Sequence, residues 1–589
     1  MAFDSGSPDQ YPIHLGTWTN WSRGRVLGFT LTLGRQEANL LIAFTAFFIA
    51  FVATRFWRVL CFAFHQLYAT STSQNVIYHQ RQAILRNSST PEGGIQQLVQ
   101  LIWANRHSDD RFAPLLVVIV AFLSITAFTV AGGLSSQISN AVGTEVLLQS
   151  RNCGTLDGDI SDSQIFFALA PTQAQLVDNA ANYAQQCYSA NAGGNLDCGR
   201  FVTQKLTSIV DDDAPCPFER KICRSNSNIR VDSGYIDSRE HLGINRPERF
   251  FARNVLHCAP ITTTGYTSQR NTSIGNYTVY HYGSIMAPAG RRDYVFAAES
   301  IESQYALTFS PDFPTYSGDY GISSVVYQLR NKTVVTSASD FIPISPLLKE
   351  DADVILVFLT GNGVVYSAPS TDEWYRVSPT PVGVNSDNAA GSSTAAIYLP
   401  LEPSSPLACT DQYQFCHGDI QHCGELANIA DARSSIARLL NATAVYNNYN
   451  DTAQVPLKYF LAGITEFQFS PLWEVLSQLG PASLASKSSL TAALQGPLPP
   501  NQWKLDVTRW SDITRASLQA SYLGISYFND QSLLKYRTNF TSQSLRTLCN
   551  NQKIRSTAYT SFSVFGLLFT FIIGFLIVLI LYLLEPKQS

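Results

Sequence analysis

Three uninterrupted apolar stretches, set between long polar ones, decide what this chain can fold into. They are "ANLLIAFTAFFIAFVAT" (Ala38–Thr54), "FAPLLVVIVAFLSITAFTVAGGL" (Phe112–Leu134) and "YTSFSVFGLLFTFIIGFLIVLILYLL" (Tyr559–Leu584), and none contains Asp, Glu, Lys, Arg or His. Each is long enough to cross a hydrocarbon core about 30 Å thick, the first only just. Arg55, Trp57 and Arg58 follow the first stretch as an interfacial anchor. A polar tail, residues 1–37, precedes it and no small-residue cleavage site follows, so it reads as a retained anchor and not as a signal peptide.

Charge orients the three spans. The 55–111 loop carries Arg55, Arg58, Arg81, Arg86, Arg106 and Arg111 against Glu92, Asp109 and Asp110. The positive-inside rule places that loop in the cytosol, and the tail and the 135–558 segment on the opposite side. Lys553 and Arg555 before the third span argue the other way, but early spans usually dominate orientation. The expected plan is an exoplasmic tail (1–37), helix 38–54, a cytosolic loop 55–111, helix 112–134, an ectodomain 135–558, helix 559–584 and a cytosolic tail 585–589. Within the loop, Ile95, Leu98, Val99, Ile102 and Trp103 recur at helical spacing. That pattern predicts a short helix lying on the membrane face or against the bundle, with a partner-binding helix as the alternative.

Sequons and cysteines agree with this orientation. Asn271, Asn276, Asn331, Asn441, Asn450 and Asn539 each lie in N-x-[ST] within the 135–558 segment, and Asn20 adds a sequon on the same side. Ten of the eleven cysteines fall there too: Cys153, Cys187, Cys198, Cys216, Cys223, Cys258, Cys409, Cys416, Cys423 and Cys549. An even number in an exported region reads as a disulfide framework, and Cys61 as a reduced thiol.

The cluster Cys409, Cys416, His417, His422, Cys423 raises the question of a metal. Zinc ligands come in close pairs such as C-x2-4-C, whereas six residues separate each successive pair of these cysteines. In an oxidising compartment the thiols should be bridged. Three cysteines cannot all pair with one another. If the six from Cys153 to Cys258 close among themselves, the outside partner is Cys549, although connectivity does not follow from sequence.

The ectodomain reads as α+β. Helices are expected over "PTQAQLVDNAANYAQQC", with Pro171 near its start, over "GELANIADARSSIARLL" and over "WKLDVTRWSDITRASLQASYLG". "VVYQLRNKTVV" predicts a hairpin tipped by Asn331, and "DVILVFLTGNGVVYS" a second one turning at Asn362-Gly363. "TAAIYLPL" is a further strand; 385–393 and 496–502 read as breaks, and Asp211–Asp213 as a solvated turn.

Small residues recur along the spans: Ala43, Ala46, Ala50 and Ala53; Ser124, Ala127 and Ala131; Ser563, Gly566, Thr570 and Gly574. Such stripes let helices approach closely in lipid and predict a three-helix bundle.

Chemistry is harder to find. Spans without ionisable groups do not suit a transporter or channel. G-x-S-x-G, H-E-x-x-H and G-x-x-x-x-G-K-[ST] do not occur, and no cofactor or metal site is expected. A net charge of −4 gives no bias toward nucleic acid. The expected partners are the lipid bilayer and an extracellular or lumenal ligand or protein.

The stretches "YPIHLGTWTNWSRG", "LLIAFTAFFIAFVATRFWRV", "HQRQAILRNSS" and "DQYQFC" resemble a family of uncharacterised membrane proteins widespread in filamentous fungi. The resemblance implies few spans, a large exported domain and no assigned catalytic residues. Some members are encoded beside secondary-metabolite gene clusters, which implies an accessory role in a biosynthetic or export pathway. The leading expectation is a membrane-anchored glycoprotein with a non-enzymatic binding ectodomain, in the plasma membrane or the secretory pathway. The alternatives are that accessory role and an exofacial enzyme whose site is assembled from scattered residues.

Overall fold

The computed structural model describes residues 11–107, 112–133, 143–149, 152–154, 163–188, 198–273, 275–287, 290–305, 318–388, 391–440, 455–464, 470–527, 534–536 and 547–584. Two compact units emerge: one holds the described residues of 8–147 and 554–589, the other those of 148–553. The large unit is therefore an insertion between the second and third apolar helices. Residues 143–147 and 554–558, expected in the ectodomain, belong to the other unit.

The smaller unit contains α1 (Arg35–Leu67), α2 (Val76–Asn87), α3 (Pro91–Ala104), α4 (Leu115–Gly133) and a C-terminal helix, Val564–Leu584. Three of these, α1, α4 and the C-terminal helix, are long and apolar enough to cross a membrane. Helix α1 outruns its predicted end at Thr54. Its 33 residues reach about 50 Å, roughly 20 Å more than a hydrocarbon core. It continues because Trp57 and Cys61 keep a buried face in register.

Helix α1 is the centre of the unit. Phe44 and Phe48 meet Phe571 of the C-terminal helix at 5.9 and 5.0 Å, and Phe56 meets Phe128 of α4 at 5.3 Å. Of the predicted small-residue positions, Gly574 is the close approach: a Cβ there would lie 2.4 Å from the Phe48 ring. Ser124 is also buried, while Ala46, Ala53, Ser563, Gly566 and Thr570 are half-buried. Ala43, Ala50, Ala127 and Ala131 are exposed, which corrects their assignment as packing positions. The buried face of α1 is instead Thr45, Ile49 and Val52, because bulky neighbours fill the groove around the one glycine.

Opposite ends of α1 carry different partners. At its start, β1 (Gly16–Thr19), β2 (Phe29–Gly34) and the strand Tyr559–Ser563 form an antiparallel sheet. Residues 559–563 were expected to be helical. They are extended because "YTSFS" alternates like "FTLTLG", so Thr32 can accept from Trp18 Nε1 at 2.7 Å and meet Ser561 Oγ at 2.8 Å. At the far end, Trp57, Cys61, Leu85, Leu98, Val117 and Ala121 form one cluster joining α1, α2, α3 and α4.

The larger unit is built on antiparallel strands. In chain order these are β3 (Ile209–Ala214), β4 (Asn228–Asp232), β5 (Phe250–Pro260), β6 (Thr267–Thr272), β7 (Gly275–Tyr280), β8 (Phe296–Glu299), β9 (Gly321–Tyr327), β10 (Asp353–Thr360) and β11 (Ser404–His417). The main sheet runs β9-β10-β11-β5-β4-β3, with Ile236–Asp237 added to β5; β8-β7-β6 form a second sheet. All eight residues of β10 are buried, as its unbroken apolar run requires of a central strand. Asp211–Asp213 lie in the edge strand β3, not in a turn. Three carboxylates on an exposed edge discourage pairing with another chain.

Helices α5 (Ser163–Cys187), α6 (Ile429–Leu439), α7 (Val455–Ile464), α8 (Pro471–Leu479) and α9 (Gln502–Ser526) complete the α+β unit. Ile355 and Val357 pack with Trp503, Val507 and Trp510 of α9, while Leu356 and Phe358 pack with Tyr280 and Tyr282 on the opposite face. Pro171 sits inside α5, which begins at Ser163 and not beside the proline. The Asn331 hairpin forms as expected, with Asn331 and Lys332 at φ 48° and 59°. The second predicted hairpin does not. Asn362 and Gly363 have the positive φ a tight turn needs, but the chain leaves β10 and Val365–Tyr366 pairs in parallel with Leu494–Gln495. The break expected at 385–393 is a hairpin pairing Val382–Asn388 with Gly391–Ile397.

Candidate ligand-binding cleft

Five disulfides answer the cysteine question. Cys416 pairs with Cys423, Cys258 with Cys409, Cys187 with Cys198, Cys216 with Cys223 and Cys153 with Cys549. The six cysteines from Cys153 to Cys258 therefore do not close among themselves. Cys549 goes to Cys153, and Cys409 to Cys258, because β5 and β11 are neighbours that set those two residues opposite each other. The three cysteines of the cluster are bridged, His417 packs against Phe250 at 5.1 Å, and His422 Nδ1 meets Asp419 at 2.8 Å. Among the described residues, no group of three His, Cys, Asp or Glu side chains is placed to hold one.

The sequons divide three ways. Asn271, Asn276 and Asn331 are exposed, the first two directly opposite on the β6–β7 hairpin. Asn441, Asn450 and Asn539 lie outside the described residues. Asn20 is a correction. It is fully buried, its amide nitrogen donates to Glu145 at 2.7 Å and its oxygen accepts from the Ser22 amide, so no glycan fits there.

Buried ionisable groups are numerous and serve the interior. Asp411 accepts from Asn254, Tyr413 and Ser470 at 2.6–2.9 Å; burial pushes its carboxyl up to about 6 against those donors. Asp372 caps the turn into Trp374 and Tyr375 and accepts the Trp503 amide of α9. Asp506 binds Tyr375 and the amides of Ala485 and Ser486, with burial raising it to about 7.

One open cleft, about 640 Å³, does offer free groups. It lies between the β8 sheet and the start of β9. Phe296 is fixed by stacking on Phe358 at 4.5 Å, and Tyr277, the partner of Glu299 in the β7–β8 pair, also lines the cleft. Gln304 holds the rim together, donating to the carbonyls of Glu299 and Pro403 and accepting the Asn362 amide. Glu299, Ser323 and Asn362 turn side chains to the cleft that have no hydrogen-bond partner among the described residues.

Strand β9 adds backbone to this inventory. Val326 turns its amide and carbonyl away from β10, toward Asp340. By the two-residue alternation of a strand, Ile322 and Ser324 turn theirs the same way, and no described residue meets them. Among the described residues the lining holds one carboxylate, Glu299, and no His, Cys or Lys. Aromatic walls, a few polar groups and an open strand edge suit binding.

No family model, curated protein or solved structure matches this chain. The cleft was not visible in the sequence, since residues 277 to 362 reach it from five separate elements and the turn at Asn362. The nearest signal was Asn362, which marked a turn without showing where that turn sits.

Proposed function

We propose that this protein is a membrane-anchored glycoprotein whose inserted unit faces the exoplasmic side and binds a ligand or partner without converting it. The observation that carries the reading is the β8–β9 cleft, where aromatic walls meet unpartnered side-chain and strand-edge groups. The orientation is supported by the smaller unit, in which β1, β2 and the strand Tyr559–Ser563 cluster at the start of α1 and the arginine-rich α2–α3 segment lies at its far end. Five disulfides fit an oxidising compartment, the plasma membrane or the secretory pathway.

The test uses the full chain in nanodiscs, probed with arrays of wall-type oligosaccharides and of extended peptides. Ser323→Trp fills the cleft and should weaken binding at least tenfold with the thermal midpoint unchanged. Binding that survives the substitution would move the site elsewhere. Conversion of the captured ligand would overturn the non-enzymatic reading.

A further inference from the structure

Helix α3 is the least charged part of the segment between α1 and α4. It begins with Thr90 as cap, Pro91 and Glu92, and carries no other charge to Ala104. Its inner face is fixed firmly. Gly94 lies so close to the Trp57 ring that a Cβ would approach to 2.6 Å, Trp57 Nε1 donates to Ser88 at 2.9 Å, and Leu98 joins Val117 and Ala121 in one cluster. Val117 and Ala121 belong to the first two turns of α4, one of the helices apolar enough to span a bilayer. Packing thus sets α3 at the depth where α4 begins.

The outer face then has a chemical boundary. At 100° per residue, Ile102 and Ile95 follow Leu98 on one side of the packed line, and Val99 and Trp103 continue the apolar arc beyond them. The two isoleucines are half-buried, Val99 is exposed and Trp103 is 73% exposed. The remaining arc is glutamine: Gln96, Gln97 and Gln100, all exposed. Leu115, Leu116 and Ile119, in the same two turns of α4 that Leu98 packs against, are exposed as well, so apolar surface of α4 is open to lipid at the depth where α3 lies. Arg106 sits over the Trp103 ring at 5.7 Å, an aromatic–cation pair of the kind found where acyl chains give way to headgroups.

We propose that α3 is a fourth membrane-associated helix: it lies in the interface of the leaflet entered by α4, with Val99 and Trp103 in lipid and the glutamine arc in water. This rests on α1, α4 and the C-terminal helix spanning the bilayer. The partner is the lipid surface; a docked protein or a second copy is the competing occupant.

Spin labels at single introduced cysteines decide between them, in the full chain in nanodiscs on a Cys61→Ala background. Trp103→Cys and Val99→Cys should be accessible to oxygen and protected from a water-soluble nickel chelate, and Gln97→Cys the reverse. Equal nickel access at 103 and 97 would overturn the proposal, as would labels at 103 immobilised and closed to both reagents, the signature of a protein cover. Ile119→Cys on α4 is the control for spanning. Oxygen access there with nickel access at 103 would sink the α3 inference alone, whereas nickel access at 119 would overturn both.

Discussion

Asp353 on β10 and Asp411 on β11 stand directly opposite each other, and both carboxyls are shut away from water. Burial raises Asp353 well above the ordinary carboxylate range, with Asp411 adding to the effect, and Asp411 itself lies at about 6. An unfolded aspartate titrates near 4. The folded pair binds protons that the unfolded chain has released, so its contribution to stability is whole below about pH 4 and is lost as pH rises through 6. Asp353 accepts the Ile429 amide at 3.2 Å, and an asparagine keeps an acceptor for it while removing the charge. Asp353→Asn should therefore flatten the fall in thermal midpoint between pH 5 and pH 8. An unaltered pH profile would show that the pair is not what titrates.

Helix packing in the smaller unit depends on one position. Gly574→Leu drives a side chain into Phe48 and Val52 and should cost about 1–3 kcal/mol, the usual range for overpacking. Ala50→Leu, at an exposed site, should leave the thermal midpoint in detergent within error. Equal losses for the two variants would contradict the α1–C-terminal helix contact.

The Cys153–Cys549 bridge closes a far longer loop than Cys416–Cys423, with separations of 396 and 7 residues. Loop-closure entropy then makes its removal the more damaging, by about 5 kcal/mol at most against about 2 kcal/mol for the short one. Paired serine substitutions followed by denaturant unfolding would rank them, and a non-reducing peptide map should recover both pairs.

Endoglycosidase treatment should shift the wild-type mobility, with single Gln substitutions at Asn271, Asn276 and Asn331 each removing one step. Asn20→Gln should remove none. It should instead lower stability by about 1–3 kcal/mol, because Glu145 loses its buried donor.

Legibility followed the range of the forces involved. The apolar helices, α9 and the Asn331 turn were readable because local periodicity or turn chemistry specifies them within a few residues. Helix α1 was read short because Trp57 and Cys61 face a local cluster that only α2 and α3 create. The hairpin after β10 was misread because Asn362-Gly363 fixes how sharply the chain turns, not which strand receives it. Cysteine partners follow strand order, and Cys258 meets Cys409 only once β5 and β11 are neighbours. The cleft was hidden for the same reason: its walls are products of pairing over tens of residues.

The inserted unit leaves and rejoins the smaller one at neighbouring points, where the Thr144 carbonyl accepts the Ser556 amide and Ser561 Oγ donates to the Glu145 carbonyl. A single protease cut inside 148–553 would leave each fragment still covalently continuous with an apolar helix, and the Cys153–Cys549 bridge would still clasp the two legs. Releasing this unit from the apolar helices would take two cuts, one on each leg outside that bridge. A protein built this way is hard to lose.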